Sequence, residues 1–254
     1  MTELVRTIDE ARCRFTELRR QGLSIGFVPT MGALHEGHLS LIRRARDDND
    51  RVVVSIFVNP TQYDDPDDLA RYPRSLDEDL EASESAGADV VFHPDPESLY
   101  HDDYRFRVTE EEHSHDLEGA HRKGHFDGVL TVVLKLLNLV GADRAYFGEK
   151  DWQQLELVRG MTAAVFHPTE IIGCPTVREP DGLAMSSRNI HLTDAQRRLA
   201  PRFHRILSGG AGTADMRRRL AATGFEVDYV ERRGRRVLAA VRLGKVRLID
   251  NVEA

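Results

Sequence analysis

Ile25-Gly-Phe-Val-Pro29-Thr-Met-Gly-Ala-Leu-His-Glu-Gly-His38 runs from an apolar stretch through a glycine-bearing loop into an amphipathic segment. Residues 25–28 read as a buried strand closed by Pro29, and residues 30–37 as a loop. Residues 38–47 read as a helix with Leu39, Leu41, Ile42 and Ala45 inward. A strand, a short loop and a helix in that order form the repeating unit of a parallel α/β sheet. The next apolar run, Val52-Val-Val-Ser-Ile-Phe-Val58, is nearly continuous, as strands covered on both faces are.

Outward from this pair the alternation continues. Residues 3–20 read as a helix through Leu4, Ile8, Ala11, Phe15 and Leu18. Residues 60–73 form a polar loop, 76–86 an acidic helix, 89–92 a strand, and 94–115 an irregular stretch. A helix at 129–140, a strand at 144–147, a helix at 152–164 and a strand-like piece at 170–177 follow. This predicts an α/β fold, a doubly wound parallel (Rossmann-like) sheet over residues 1–189, with ligands at the carboxyl ends of its strands. Residues 190–254 change character: a helix at 193–207, an arginine-rich helix to about residue 222, and strands at 226–230, 237–243 and 246–249. The last two strands are joined through Gly244-Lys245. They predict a small C-terminal α+β domain.

Composition narrows the function classes. A chain of 254 residues buries an ample core without a staple. Cys13 and Cys174 stand alone, with no ligand spacing around them, which suits a reducing compartment. The charged, amphipathic start does not resemble a signal peptide. Lys135 and Asn138 interrupt the most apolar stretch, 129–142, which falls short of the roughly 20 residues a membrane span requires. A cytoplasmic protein without a membrane partner is expected. The net charge of −7 is split: residues 1–189 carry 21 Lys+Arg against 35 Asp+Glu, and residues 190–254 carry 14 against 7. An acidic body argues against nucleic acid as the partner. Only Lys123, Lys135, Lys150 and Lys245 interrupt the use of arginine.

Five stretches could carry chemistry. In the first, Gly32 and Gly37 permit close backbone approach, and His35 and His38, three apart, could converge on an anion at a helix start. Two surface histidines are the plainer alternative, and no third metal ligand stands in pattern. In Val58-Asn-Pro-Thr-Gln-Tyr63, the amides of Asn59 and Gln62 could hold hydroxyl and carboxylate oxygens, though Asn-Pro is also a common turn. Phe147-Gly-Glu-Lys-Asp-Trp-Gln-Gln154 places Lys150 after a strand, where a flexible ammonium could follow a phosphate; a capping Asp151 beside a solvated lysine is the alternative. Met185-Ser-Ser-Arg188 offers two hydroxyls and a guanidinium in a row, or a polar linker. In the fifth, Leu117 to Val129, Arg122 and Lys123 could face an anion, though a surface loop with a solvated basic pair is the plainer reading.

Taken together, the Met31–His38 segment resembles the HIGH-type element of adenylyl-transferring α/β enzymes, and Met185-Ser-Ser-Arg188 resembles their second phosphate element. With Ser55-Ile-Phe-Val-Asn-Pro60, Arg71-Tyr-Pro-Arg74, Gly148-Glu-Lys-Asp151 and Arg247-Leu-Ile-Asp-Asn251, the chain resembles the pantothenate synthetase (pantoate–β-alanine ligase) family. The resemblance implies that ATP activates pantoate as an adenylate with release of pyrophosphate, and that β-alanine then displaces AMP. It also implies Mg²⁺, a homodimer and a C-terminal lid. By resemblance, ATP is contacted by Met31, Gly32, Ala33, Leu34, His35, Glu36, Gly37 and His38, by Gly148, Glu149, Lys150 and Asp151, and by Val177, Met185, Ser186, Ser187 and Arg188. His38, His35, Lys150, Ser187 and Arg188 form the catalytic set, with His38 as proton donor. Gln62, Gln154 and Asn59 are the expected substrate-binding amides. Metal ligands are not assigned. Trp152 stands where the family usually has Phe or Tyr, and the region between Leu192 and Leu248 is shorter than usual. A related nucleotidyltransferase of larger substrate, or an RNA-binding module using the basic tail, are the rival readings.

Overall fold

The structure is a computed structural model that describes residues 2–253, the side chain of Asp68 excepted. Residues 1–148 and 153–174 form one compact unit, and residues 149–152 and 175–254 a second.

The first unit is built on six parallel strands: β1 (Glu3–Val5), β2 (Ile25–Thr30), β3 (Arg51–Ile56), β4 (Val90–Phe92), β5 (Arg144–Gly148) and β6 (Glu170–Cys174), in spatial order β1-β4-β3-β2-β5-β6. The order reverses between β2 and β5, so the crevice at their carboxyl ends is where a doubly wound sheet takes a ligand. Helices α1 (Ile8–Arg20), α2 (Glu36–Asp48), α3 (Pro66–Arg71), α4 (Leu76–Ala86), α5 (Pro96–Leu99), α6 (Glu118–His121), α7 (His125–Val140) and α8 (Trp152–Ala164) connect the strands. Val28, Val52, Val54, Val91 and Tyr146 of the sheet bury against Ile42 and Ala45 of α2.

The helix predicted at 3–20 is shorter than expected. Thr7 accepts the Glu10 N–H and Glu10 reaches back to the Thr7 N–H, a capping box that starts α1 at Ile8. Residues 3–5 instead pair with residues 90–92 as an edge strand. Pro29 lies inside β2, but β5 pairs with β2 only at Gly26 and Phe27, so its missing N–H breaks no bond on that side. The polar loop at 60–73 contains a 3₁₀ turn, Pro60–Gln62, and α3. The apolar helix starts four residues earlier than its periodicity indicated, with His125 and Phe126 buried in its first turn.

In the second unit, α9 (Asp194–Leu199), α10 (Arg202–Leu207) and α11 (Thr213–Ala222) cover an antiparallel sheet of β7 (Glu226–Arg233), β8 (Arg236–Leu243) and β9 (Val246–Glu253). Val237, Ala239, Val241 and Leu243, alternate residues of β8, share a core with Phe203, Leu207, Met216 and Leu220. The single helix predicted at 193–207 is two, because Pro201 follows Ala200 and cannot continue α9. The units divide after Cys174, where the sequence suggested Asn189. The cause is Leu183, which at 2% exposure belongs to the second core.

Candidate active site

The loop that leaves β2 is held from three sides. The Thr30 hydroxyl donates to the Ser55 carbonyl (2.7 Å) and accepts the Gly32 N–H (3.1 Å). Gly32 and Ala33 both have positive φ, +81° and +51°. A Cβ on Gly32 would stand 2.7 Å from the Asp79 carboxylate, so glycine is required twice over. Asp79, in the first turn of α4, accepts the N–H groups of Ala33 (2.9 Å) and Leu34 (2.7 Å). Burial pushes its carboxyl above the ordinary range, against the pull of those two donors. The Tyr72 hydroxyl donates to the Gly32 carbonyl at 3.2 Å. Neither Asp79 nor Tyr72 was singled out by the local motifs.

His35 caps α2. Its Nδ1 accepts the Gly37 N–H (3.1 Å), and the Nδ1 of His38 lies 3.4 Å from the His35 N–H. The two rings stack at 4.1 Å between centroids. An Nδ1 that accepts a backbone N–H carries no proton, so the neutral ring of each histidine has its proton on Nε2. Two Nε2–H donors at the positive end of a thirteen-residue helix suit an anion. Glu36 is exposed and paired with Arg43, so its part in any such site is played by its backbone.

Asn59 and Gln62 divide their labour. Asn59 is 1% exposed; its amide donates to Gln62 Oε1 (2.9 Å) and to the Gly128 carbonyl (3.1 Å). Its oxygen accepts the hydroxyls of Thr61 (2.9 Å) and Tyr100 (2.8 Å). Both N–H groups and the oxygen of Asn59 are thus engaged within the protein. Asn59 orients Gln62. The Gln62 oxygen is thereby committed, and its N–H₂ meets only the weakly accepting sulfur of Met31, at 3.2 Å. Gln62 therefore presents a donor beside the first residue of the histidine loop. His125 and Arg122 hold the Gln62 carbonyl, at 2.9 and 3.5 Å, so Arg122 is not the solvated residue its local sequence suggested. Lys123 is exposed. Of the adjacent glutamines in α8, Gln153 is consumed by the Glu118 N–H and the carbonyls of His113 and Asp116. Gln154 is half-buried and makes no hydrogen bond to the described residues.

In the second unit, Val177 and Met185 are joined by a 3.0 Å backbone bond across a hairpin, and Arg178 bridges Ala184. That hairpin is why Val177 accompanies Met185-Ser-Ser-Arg188. Ser186 caps the 3₁₀ turn Ser187–His191 by accepting the Arg188 N–H (3.3 Å). Arg178 grips the buried Asp250 through two bonds, 2.7 and 2.9 Å. Lys150 is half-buried, and its ammonium makes no hydrogen bond or ion pair with the described residues. Gly148 ends β5, and the exposed Asp151 closes the turn that follows. Among the described residues no group of three or more His, Cys, Asp or Glu could hold a metal ion, and no helix is long and apolar enough to cross a membrane.

Residues 3–253 match the family model of pantoate-beta-alanine ligase. A pantothenate synthetase of Bdellovibrio bacteriovorus is 51% identical over 253 residues, covering 100% of both chains. The shorter C-terminal region expected from the resemblance is thus a length this relative shares. A crystal structure of pantothenate synthetase from Thermus thermophilus superposes with a TM-score of 0.91 at 42% identity, covering 99% of each chain. The pantoate-beta-alanine ligase of Francisella tularensis, solved with a β,γ-ATP compound and β-alanine, gives 0.94 at 41% identity, covering 100% of this chain and 98% of its own. With the strand order, the capped histidine loop and the ordered motifs all in place, the chain belongs to the pantoate–β-alanine ligase family.

Proposed function

We propose that this protein ligates pantoate to β-alanine at the expense of ATP, forming AMP, pyrophosphate and pantothenate through a pantoyl adenylate. One observation carries the reading: Gln62 has its oxygen committed to Asn59 and offers only N–H groups, beside Met31 of the loop that ends in two Nε2–H donors. A donor-only amide next to an anion-binding helix start fits a small hydroxy acid awaiting a phosphate.

The pantoate carboxylate needs no activating base. It attacks the α-phosphorus, and the bond to the pyrophosphate oxygen breaks. The barrier is repulsion between anions and the entropy of aligning them, both relieved by placed donors. The Nε2–H groups of His35 and His38 act on phosphate oxygens, with His38 in the proton-donor role the family resemblance gives it. Lys150, lacking a carboxylate partner among the described residues, is available to the charge that gathers on pyrophosphate. Ser187, Arg188 and the backbone of residues 148–151, 177 and 185–188 serve the same nucleotide, and the C-terminal region acts as the lid. Gln62 and Gln154 hold pantoate. The amine of β-alanine then attacks the acyl carbon, AMP departs with one former carboxylate oxygen, and the amine loses a proton.

Mg²⁺ would accompany ATP, whose phosphate oxygens are the hard ligands it takes, and would neutralise part of their charge. A cytoplasmic homodimer is part of the proposal. The test is pyrophosphate release from Mg-ATP and pantoate, followed by AMP release on adding β-alanine. No pantoate-dependent pyrophosphate would sink the reading.

A further inference from the structure

The turn at residues 149–152 follows β5 in sequence, yet side chains of the C-terminal sheet hold it. Asn251 of β9 donates both N–H groups of its amide, one to the Glu149 carbonyl (2.8 Å) and one to the Lys150 carbonyl (3.0 Å). Arg236 of β8 donates to Asn251 Oδ1 (2.6 Å) and to the Glu149 carboxylate (3.2 Å). Its guanidinium also lies over the Trp152 ring, 3.8 Å from the centroid. Asn251 is 4% exposed. The carbonyls on both sides of the Lys150 α-carbon are therefore pinned, while the ammonium itself pairs with none of the described residues.

We propose that Asn251 and Arg236 are positioning residues for Lys150, fixing the backbone from which its ammonium reaches the nucleotide. Only an amide supplies two donors on one nitrogen for two carbonyls while its oxygen receives a third group. Only a guanidinium stacks flat on an indole while donating in its own plane. The tether makes Lys150 part of the β8–β9 hairpin: whatever moves that hairpin moves the cation. The inference rests on the proposed role of Lys150 in adenylate formation.

The experiment uses the full chain and pantoate-dependent pyrophosphate release. Asn251→Asp keeps the shape and the Arg236 contact but turns an oxygen toward two carbonyls. Its kcat is expected to fall on the order of tenfold or more, with the KM for pantoate unchanged. Arg236→Lys, a milder change, should fall less in the same direction and covers the case in which Asn251→Asp does not fold. Trp152 is the sole tryptophan, so its emission reports whether the turn has shifted. In a Lys150→Ala background the Asn251→Asp change should add almost nothing to the loss, since there is no longer an ammonium to place. Full multiplication of the two losses would overturn the proposal, because Asn251 would then act independently of Lys150. A shifted Trp152 emission with normal kcat would overturn the positioning role alone. Normal turnover by Lys150→Ala would overturn the Lys150 reading and this inference with it.

Discussion

Replacing Asp79 by alanine should loosen the histidine loop after β2 from a distance of 45 residues along the chain. The carboxylate accepts the Ala33 and Leu34 N–H groups at 2.9 and 2.7 Å. Hydrogen bonds to a charged partner contribute about 1.5–3 kcal/mol each, which sets a ceiling of about 6 kcal/mol for the pair. Ala33 and Leu34 are only half-buried, so water takes over part of the lost bonding. Asp79→Ala is therefore expected to lose about 2–3 kcal/mol in urea unfolding, and Asp79→Asn, which retains one acceptor, about half that. Ala33 at φ +51° has little reason to stay there once released. The KM for ATP should rise in both variants, more in the alanine, with that for pantoate less affected. The raised carboxyl of Asp79 adds a pH signature. An acid whose folded value lies above its unfolded one stabilises below the unfolded value and loses that contribution as pH rises through the folded one. The Asn variant lacks this slope, so its deficit should be largest at low pH and shrink toward neutrality. An alanine variant with parental unfolding and parental KM for ATP would refute the role given to Asp79.

Three further outcomes are expected. His38→Ala should slow adenylate formation by about 10²–10³-fold, as loss of a placed donor does, while lowering stability by only about 1 kcal/mol through the cap; single-turnover rates and melting curves check this, and an unchanged rate would remove His38 from the chemistry. Gln62→Glu puts a carboxylate where the N–H₂ faces Met31, and should raise the KM for pantoate by at least about tenfold while sparing that for ATP; steady-state titration of each substrate separates the two. Asp250→Asn leaves the Arg178 guanidinium partly uncompensated and should destabilise the C-terminal unit by about 3 kcal/mol. Burial pushes the Asp250 carboxyl up, but His204 and Arg178 pull it further down, to below the ordinary 3.8. Its contribution is therefore present above that value and lost as pH falls toward the folded one, so acid unfolding of the parent should show a step that the Asn variant lacks.

The parallel sheet was legible because its strands are apolar runs bounded by turns, and α8 because Leu155, Val158 and Thr162 fall at helical spacing in a run without proline. What escaped local reading depends on partners far along the chain. Residues 3–5 are a strand only because β4 offers them an edge. Asp79 sits among Asp77 and Glu78 on one acidic turn, and nothing local distinguishes the carboxylate that faces the loop. The orienting contacts of Asn59 were equally hidden: its amide meets Gln62, Gly128, Thr61 and Tyr100, three of them outside or across its own turn. The nearest signals were the Arg71-Tyr-Pro-Arg74 and Arg247-to-Asn251 blocks, which contain Tyr72, Asp250 and Asn251 without announcing what they hold. The uneven charge also reads differently: Asp228 takes both Arg242 (3.1 Å) and Arg247 (2.7 Å), so part of the C-terminal excess is neutralised within its own sheet.

The most direct test of the account follows oxygen. Pantoate carrying ¹⁸O in both carboxylate positions is turned over with Mg-ATP and β-alanine, and the products are weighed by mass spectrometry. Attack of the carboxylate on the α-phosphorus, then departure of AMP from the acyl carbon, leaves one ¹⁸O in AMP, one in the amide of pantothenate and none in pyrophosphate. Unlabelled AMP, or label in pyrophosphate, would contradict the adenylate route.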